Sequence, residues 1–313
     1  MANYWTAPKT DWDSNDGIGY EDLNRIEANV SANRDANFRR VQGFGYTMDN
    51  TGGTGYDGVL TILPGSAYSS DGFPIRQDTN IVKNLTSWVQ GSGADKGGVA
   101  SAVTVAAYTW YYIFAILDPV TGNVEIMIDD NPSGTNVSSG IYTKKRYINC
   151  FKTAAAGDQG SFDICESWST GDRVYINPDS SLPTTRGVTD DLVNNSYGSI
   201  SLQESPYGYA TPARDVRADI NITGDHDIWA IGIYSSFGGH YSVPSNFQNG
   251  GILDGEVVAA HNYFSGNTPD SGEVSLYGSI MIPAARTINV AIMTLSAGDI
   301  TIRVPGFYDD RLQ

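Results

Sequence analysis

The chain is short of the residues that most catalytic and metal sites need. Its 313 residues include two cysteines and three histidines. His226, His240 and His261 stand alone, without HExxH spacing, and neither a phosphate-binding Gly-x-x-x-x-Gly-Lys-Ser/Thr loop nor a Gly-x-Ser-x-Gly elbow occurs. Asp225-His226-Asp227 looks like a fragment of a metal site but reads better as a polar turn ahead of Trp229. Asp129-Asp130-Asn131 lacks the remaining ligands of an EF-hand loop. No cofactor, metal ligand or catalytic residue is therefore expected. Cys150 and Cys165 bracket a turn-like segment; a cross-strand disulfide and two buried thiols both fit that spacing, the thiols better if the chain is assembled in a cytoplasm.

Charge is also scarce, and it is one-sided. Charged residues make up 17% of the chain, and 19 Lys and Arg face 35 Asp and Glu, a formal net charge of -16. That balance disfavours nucleic-acid backbones, which reward cations, and anionic membrane surfaces. It would keep a protein present in many copies soluble. The start, Met-Ala-Asn-Tyr-Trp, has no basic region followed by an apolar core, so no secretion signal is read there. The one long uncharged run, Val99 to Leu117, matches a membrane helix in length. Its Thr, Ser, Tyr and Val content, and a break near Ala107-Tyr108-Thr109, favour buried strands instead.

What the chain does have is glycine, 35 residues, and tyrosine, 19 residues, the composition of β-structure with many turns. Tyr111 to Leu117 reads as a central strand with bulky residues on both faces, so both faces should be covered. Asp118 to Asn123 reads as a turn into the strand Val124 to Ile128. Leu23, Ile26 and Val30 recur at helical spacing behind Glu21 and Asp22, which predicts a short helix that continues toward Val41. The fold expected is mainly β, a short N-terminal helix followed by sandwich or jelly-roll-like units. The divisions are 1–45 as an N-terminal segment, 55–180 as a first β-rich domain and 195–308 as a second. Residues 43 to 58 and 91 to 98 read as loops. Lys144 to Lys152, the only basic cluster, is expected to put its charges on a solvated strand face. The stretch from Gly238 to Phe264 reads as one long irregular loop.

The opening Trp5-x-x-Pro8-x-x-Asp11-Trp12, followed by Tyr20-Glu21-Asp22-Leu23-Asn24-Arg25-Ile26-Glu27-Ala28-Asn29, resembles the N-terminal segment of bacteriophage virion structural proteins. Thr109 to Tyr111, Tyr142 to Ile148 and Phe162 to Trp168 resemble a strand set of phage tail and fibre proteins. The resemblance covers roughly half the chain. It implies a virion component, most often a homotrimer, that anchors to other phage structural proteins through its N-terminus and turns its distal part outward. Tyr4, Trp5, Trp12, Leu23, Ile26 and Val30 are then the residues expected to dock.

Three functions stay open on these grounds. They are a tail fibre, spike or appendage in host attachment, a capsid-decorating head fibre, and a glycan-binding or glycan-degrading tail protein. Glycoside hydrolysis needs two facing carboxylates, and nothing local selects a pair, so the expectation is a protein that is not an enzyme. For contact with a host surface glycan the candidates are Tyr207, Tyr209, Tyr241 and Tyr263, aromatic residues in Gly-, Pro- or Asn-rich surroundings.

Overall fold

The computed structural model describes residues 41–49, 58–156, 162–164, 167–170, 173–176, 189–192, 197–204, 208–224, 228–235, 257–261, 274–294 and 298–309. The expected helix over residues 18 to 30 lies outside them. Val41, toward which that helix was expected to run, is not helical.

The described residues form a mainly-β fold. In chain order the first segment supplies β1 (Gln42–Gly43), β2 (Tyr46–Asp49), β3 (Val59–Ile62), β4 (Gly65–Tyr68), β5 (Pro74–Gln77), β6 (Ile81–Ser87), β7 (Gly97–Val99), β8 (Trp110–Leu117), β9 (Val124–Asp129) and β10 (Lys144–Ala156). Next come β11 (Phe162–Ile164), β12 (Ser167–Thr170), β13 (Arg173–Ile176) and β14 (Thr189–Leu192). The remainder supplies β15 (Tyr197–Ser201), β16 (Gln203–Glu204), β17 (Gly208–Tyr209), β18 (Val216–Gly224), β19 (Ile228–Ser235), β20 (Val257–His261), β21 (Val274–Ile282), β22 (Thr287–Thr294) and β23 (Gly298–Asp309).

One mixed sheet of 14 strands runs β11-β10-β8-β9-β7-β6-β3-β2-β12-β13-β23-β18-β21, with β14 also on β23. The smaller sheets are β1-β4-β5, β15-β22-β19-β20 and β16-β17. The large sheet crosses from early to late sequence at β13, which pairs with β12 on one side and β23 on the other. Pairing is antiparallel except around β7, which lies parallel to both β6 and β9. Glycine is needed there: a Cβ on Gly97 would sit 1.9 Å from the Ser87 carbonyl oxygen.

β8 is the wall between two cores. All eight of its side chains are buried, as its unbroken bulky run requires. Successive strand side chains point to opposite faces. Tyr111, Ile113, Ala115 and Leu117 therefore join Phe44, Tyr46, Leu60, Ile62, Ile126, Ile128 and Phe151 on one side. Trp110, Tyr112, Phe114 and Ile116 join Tyr147, Val216, Ala218, Ile280, Ile282 and Phe307 on the other. Tyr111 stacks on Phe151 with ring centroids 5.8 Å apart, while Trp110 meets Phe307 edge-on at 5.6 Å.

A bulge in β10 sets what faces what. Tyr147 pairs with Phe114 and Asn149 with Ile113, so Ile148 is the extra residue. Past the bulge the alternation shifts by one, which places Lys152 opposite Trp110 and on its side of the sheet.

Several expectations change here. The basic cluster does not line a solvated face. Lys152 is 3% exposed and donates to the Tyr209 carbonyl at 2.8 Å, and Lys145 donates to the Gly134 carbonyl. The region from Gly43 to Gly58 is not all loop: β2 is a strand, and Phe44 and Tyr46 are fully buried because β3, β4 and β12 pair around them. The strand Gly97–Val99 begins inside the expected 91-to-98 loop, and β20 lies within the expected loop from Gly238 to Phe264. Phe162 to Trp168 is not one strand: β11 pairs with β10, and β12 with β2 and β13.

Candidate functional site

A cleft of about 400 Å³ opens where the start of β8 meets the late part of the chain. Its walls are Tyr108, Trp110, Tyr112, Asp130, Tyr209 and Arg286, with Ala107, Thr109, Gly208 and Ala213 between them. Trp110 and Tyr112 share one face of β8, two residues apart, so alternation alone puts both rings there. Their polar ends are used to hold the opposite wall: Trp110 Nε1 donates to the Tyr209 carbonyl at 2.9 Å, and the Ala213 N–H donates to Tyr112 Oη at 2.7 Å. Lys152 donates to the same Tyr209 carbonyl. Burial raises the Tyr112 phenol far above its ordinary range, so it stays a neutral hydroxyl.

Arg286 closes the cleft from the β21–β22 turn. Its guanidinium lies 3.6 Å from the Tyr209 ring centroid, a close cation–π stack. The main chain at this position is clamped: the Arg286 N–H donates to the Pro283 carbonyl at 2.7 Å, and its carbonyl accepts from the Leu202 N–H at 2.9 Å. Arg286 Nε is buried and has no hydrogen-bond partner.

Two of the three described non-glycine residues with positive φ sit on this rim, Tyr108 at 53° and Arg286 at 60°. Such a conformation costs about 1–3 kcal/mol and persists only where the surroundings enforce it. Gly208 shows the enforcement: at φ 69° it approaches so closely that a Cβ would lie 2.6 Å from the Tyr108 carbonyl oxygen. The third, Phe44, is a core residue elsewhere.

Asp130 is the carboxylate of the cleft wall. Partial burial and the adjacent Asp129 charge push its pKa up. Asp129 itself is held below the usual carboxylate range. Burial would raise it, but it accepts from the Asn131 and Asn136 backbone N–H groups and from Asn136 Nδ2. Those bonds tie the Asp129 carboxylate into its own turn.

A second aromatic group lies on the large sheet, away from the cleft. Trp168 stacks on Tyr175 at 5.3 Å, and Arg173 covers both Tyr175 and Tyr308. Here the cation is charge-paired, because Arg173 lies 2.5 Å from Asp219, although its Nε, like that of Arg286, is buried without a hydrogen-bond partner.

Of the four tyrosines expected at a glycan, Tyr209 lines the cleft, while Tyr207, Tyr241 and Tyr263 lie outside the described residues. The docking residues Tyr4, Trp5, Trp12, Leu23, Ile26 and Val30 lie outside them too, as do Cys165, His226 and His240. Cys150 is a buried thiol 3.9 Å from Asp309 Oδ2. Sequence reasoning missed Arg286 and Asp130. The break at Ala107-Tyr108-Thr109 was the only trace of the rim, and nothing in Pro283-Ala284-Ala285-Arg286 announces a ligand cation.

Chemically, the cleft offers aromatic rings, one guanidinium with no acidic partner among the described residues and one carboxylate. Among the described residues that line it there is no second carboxylate for a glycosidase pair and no nucleophile held by a base. The arrangement suits recognition. No protein-family model matches the chain, and neither does any curated protein.

Proposed function

We propose that this protein is a structural component of a bacteriophage particle, a fibre, spike or appendage that docks through its N-terminus and contacts the host surface with its β body. The observation that carries this reading is the opening run Trp5-x-x-Pro8-x-x-Asp11-Trp12 with Tyr20 to Asn29. A β body with β8 buried on both faces supports it, since a rigid frame suits a projecting part. In this reading the N-terminal helix spans residues 18 to 30, the β layers stack in a sandwich or jelly-roll-like manner, and three copies assemble. The aromatic cleft favours glycan binding, without turnover, as the mode of host contact. A head fibre that decorates the capsid is the same class of protein at another attachment point.

Deleting residues 1 to 30 is expected to leave a folded chain that no longer joins the particle. Immunogold electron microscopy of particles made with the full and the shortened chain reads this out. Normal incorporation of the shortened chain would overturn the docking role. Release of reducing ends from host polysaccharide would overturn the non-catalytic one.

A further inference from the structure

We infer that the cleft between β8, β17 and the β21–β22 turn binds a saccharide that carries a carboxylate, such as a uronic or sialic acid. The inference deepens the host-contact reading above and rests on it for its biological setting; the geometry is independent of that setting.

Three observations converge. The first is Arg286, whose Nε is buried without a partner while the planar group is fixed on Tyr209. A guanidinium held flat on one face presents its donors edge-on, the geometry that meets a carboxylate through two parallel hydrogen bonds. Arg173 also has a buried Nε without a partner, but its charge is met by Asp219, whereas Arg286 has no acidic partner among the described residues. The second is the half-buried ring of Tyr108 on the rim, beside the buried Trp110 and Tyr112, an apolar lining against which the C–H side of a pyranose ring packs. The third is Asp130, an acceptor for sugar hydroxyls. A volume of about 400 Å³ suits one or two sugar rings.

The same features argue against polyphosphates and nucleic acid. Among the described residues that line it, the cleft holds one cation and one carboxylate, and the chain carries a net charge of -16. A ligand with one negative group at one end and hydroxyls at the other fits both charges at once. The strained backbone at Tyr108 and Arg286 fixes the site in advance, so less ordering remains to be done on binding.

Titration of the purified full chain with sodium D-glucuronate, N-acetylneuraminate and D-glucose, followed by NMR, tests this. At least one acid should bind saturably and shift the Trp110 indole N–H signal. Glucose should bind about tenfold or more weakly, the loss expected for a missing charge-assisted pair. Arg286→Asn keeps a residue that tolerates positive φ while removing the charge. It should weaken the acid by a similar factor, about tenfold, and leave glucose unchanged. Trp168→Ala, on the other aromatic group, should change nothing. Equal binding of glucose and the acids, no saturable signal from either acid, or loss of binding in Trp168→Ala would each overturn the inference. Should Arg286→Asn fail to fold, the wild-type indole shift and the acid-to-glucose ratio decide alone. A chain that binds glucuronate but is missing from particles sinks the phage reading and leaves the cleft standing. A chain present in particles that binds neither acid sinks the cleft alone.

Discussion

The two sides of β8 differ in kind. The side facing Tyr111 and Ile113 is closed by residues between Val41 and Phe151, and its buried members are chiefly hydrocarbon. The side facing Trp110 and Tyr112 is closed by residues as distant as Val304 and Phe307, and charges are buried within it. Tyr147 donates its hydroxyl to Asp309, Arg214 lies 3.5 Å from the same carboxylate as an ion pair, and the Arg214 guanidinium covers the Tyr147 ring at 4.0 Å. One side is an oily core local in sequence. The other is a seam between early and late chain, and buried ionic pairing holds part of it together. An oily core tolerates repacking, whereas a buried charge whose partner is removed has nowhere to go.

Substitutions sharpen the contrast. The largest effect is expected from Asp309→Ala, which strands Arg214 and the Tyr147 hydroxyl and should cost about 3–5 kcal/mol in urea unfolding. A cost below about 1 kcal/mol would mean that the seam does not depend on the ion pair. Phe151→Ala opens a cavity on the oily side and should cost about 3–4 kcal/mol. There a shape-conserving exchange to Leu should recover much of the loss, as no exchange of Asp309 except to another acceptor should. Tyr46→Phe removes the hydroxyl bonded to Ser167 Oγ at 2.9 Å and should cost only about 1 kcal/mol. Arg286→Asn, at the cleft, should shift stability by less than about 1 kcal/mol, because relieved backbone strain offsets the lost cation–π stack.

Groups packed around β8 also respond to pH in opposite senses. The phenols of Tyr147 and Tyr112 are raised by burial, Tyr147 further by the Asp309 charge. Above about pH 10 the unfolded chain releases those protons and the folded chain keeps them, so stability falls as pH rises. Thermal melts between pH 8 and 11 should show the loss, and Tyr147→Phe should reduce it. Asp129 has the opposite sense. Its lowered folded pKa gives stability that is present above the unfolded value, about pH 4, and is lost as pH falls through the folded one. Asp129→Asn should flatten the acid limb alone.

How much of this was legible in the sequence depends on whether the signal was local. The strand at Tyr111 to Leu117 and the turn at Asp118 to Asn123 were legible, since their residues settle them without help. The turn closes with the Asp118 N–H on the Asn123 carbonyl. Tyr209 was singled out from its setting, and the structure places it in the cleft wall. Phe44 and Tyr46 were not legible as core, because short strands among glycines gain their pairing from distant partners. Lys152 was misread because a strand's charges are read as solvated until its register and its neighbours are known.

Alternating side chains along a strand are a local property, and from them the sequence determined that this is a β protein whose Tyr111 to Leu117 strand is covered on both faces. Which core each face serves was decided by tertiary structure: by the extra residue at Ile148, which re-phases β10, and by Asp309, which reaches Tyr147 from 162 residues away. The ligand cleft belongs to the same category. Arg286 becomes a site only because folding brings it over Tyr209 and leaves its Nε without a partner, and an unmet hydrogen bond is a property of neighbours in space.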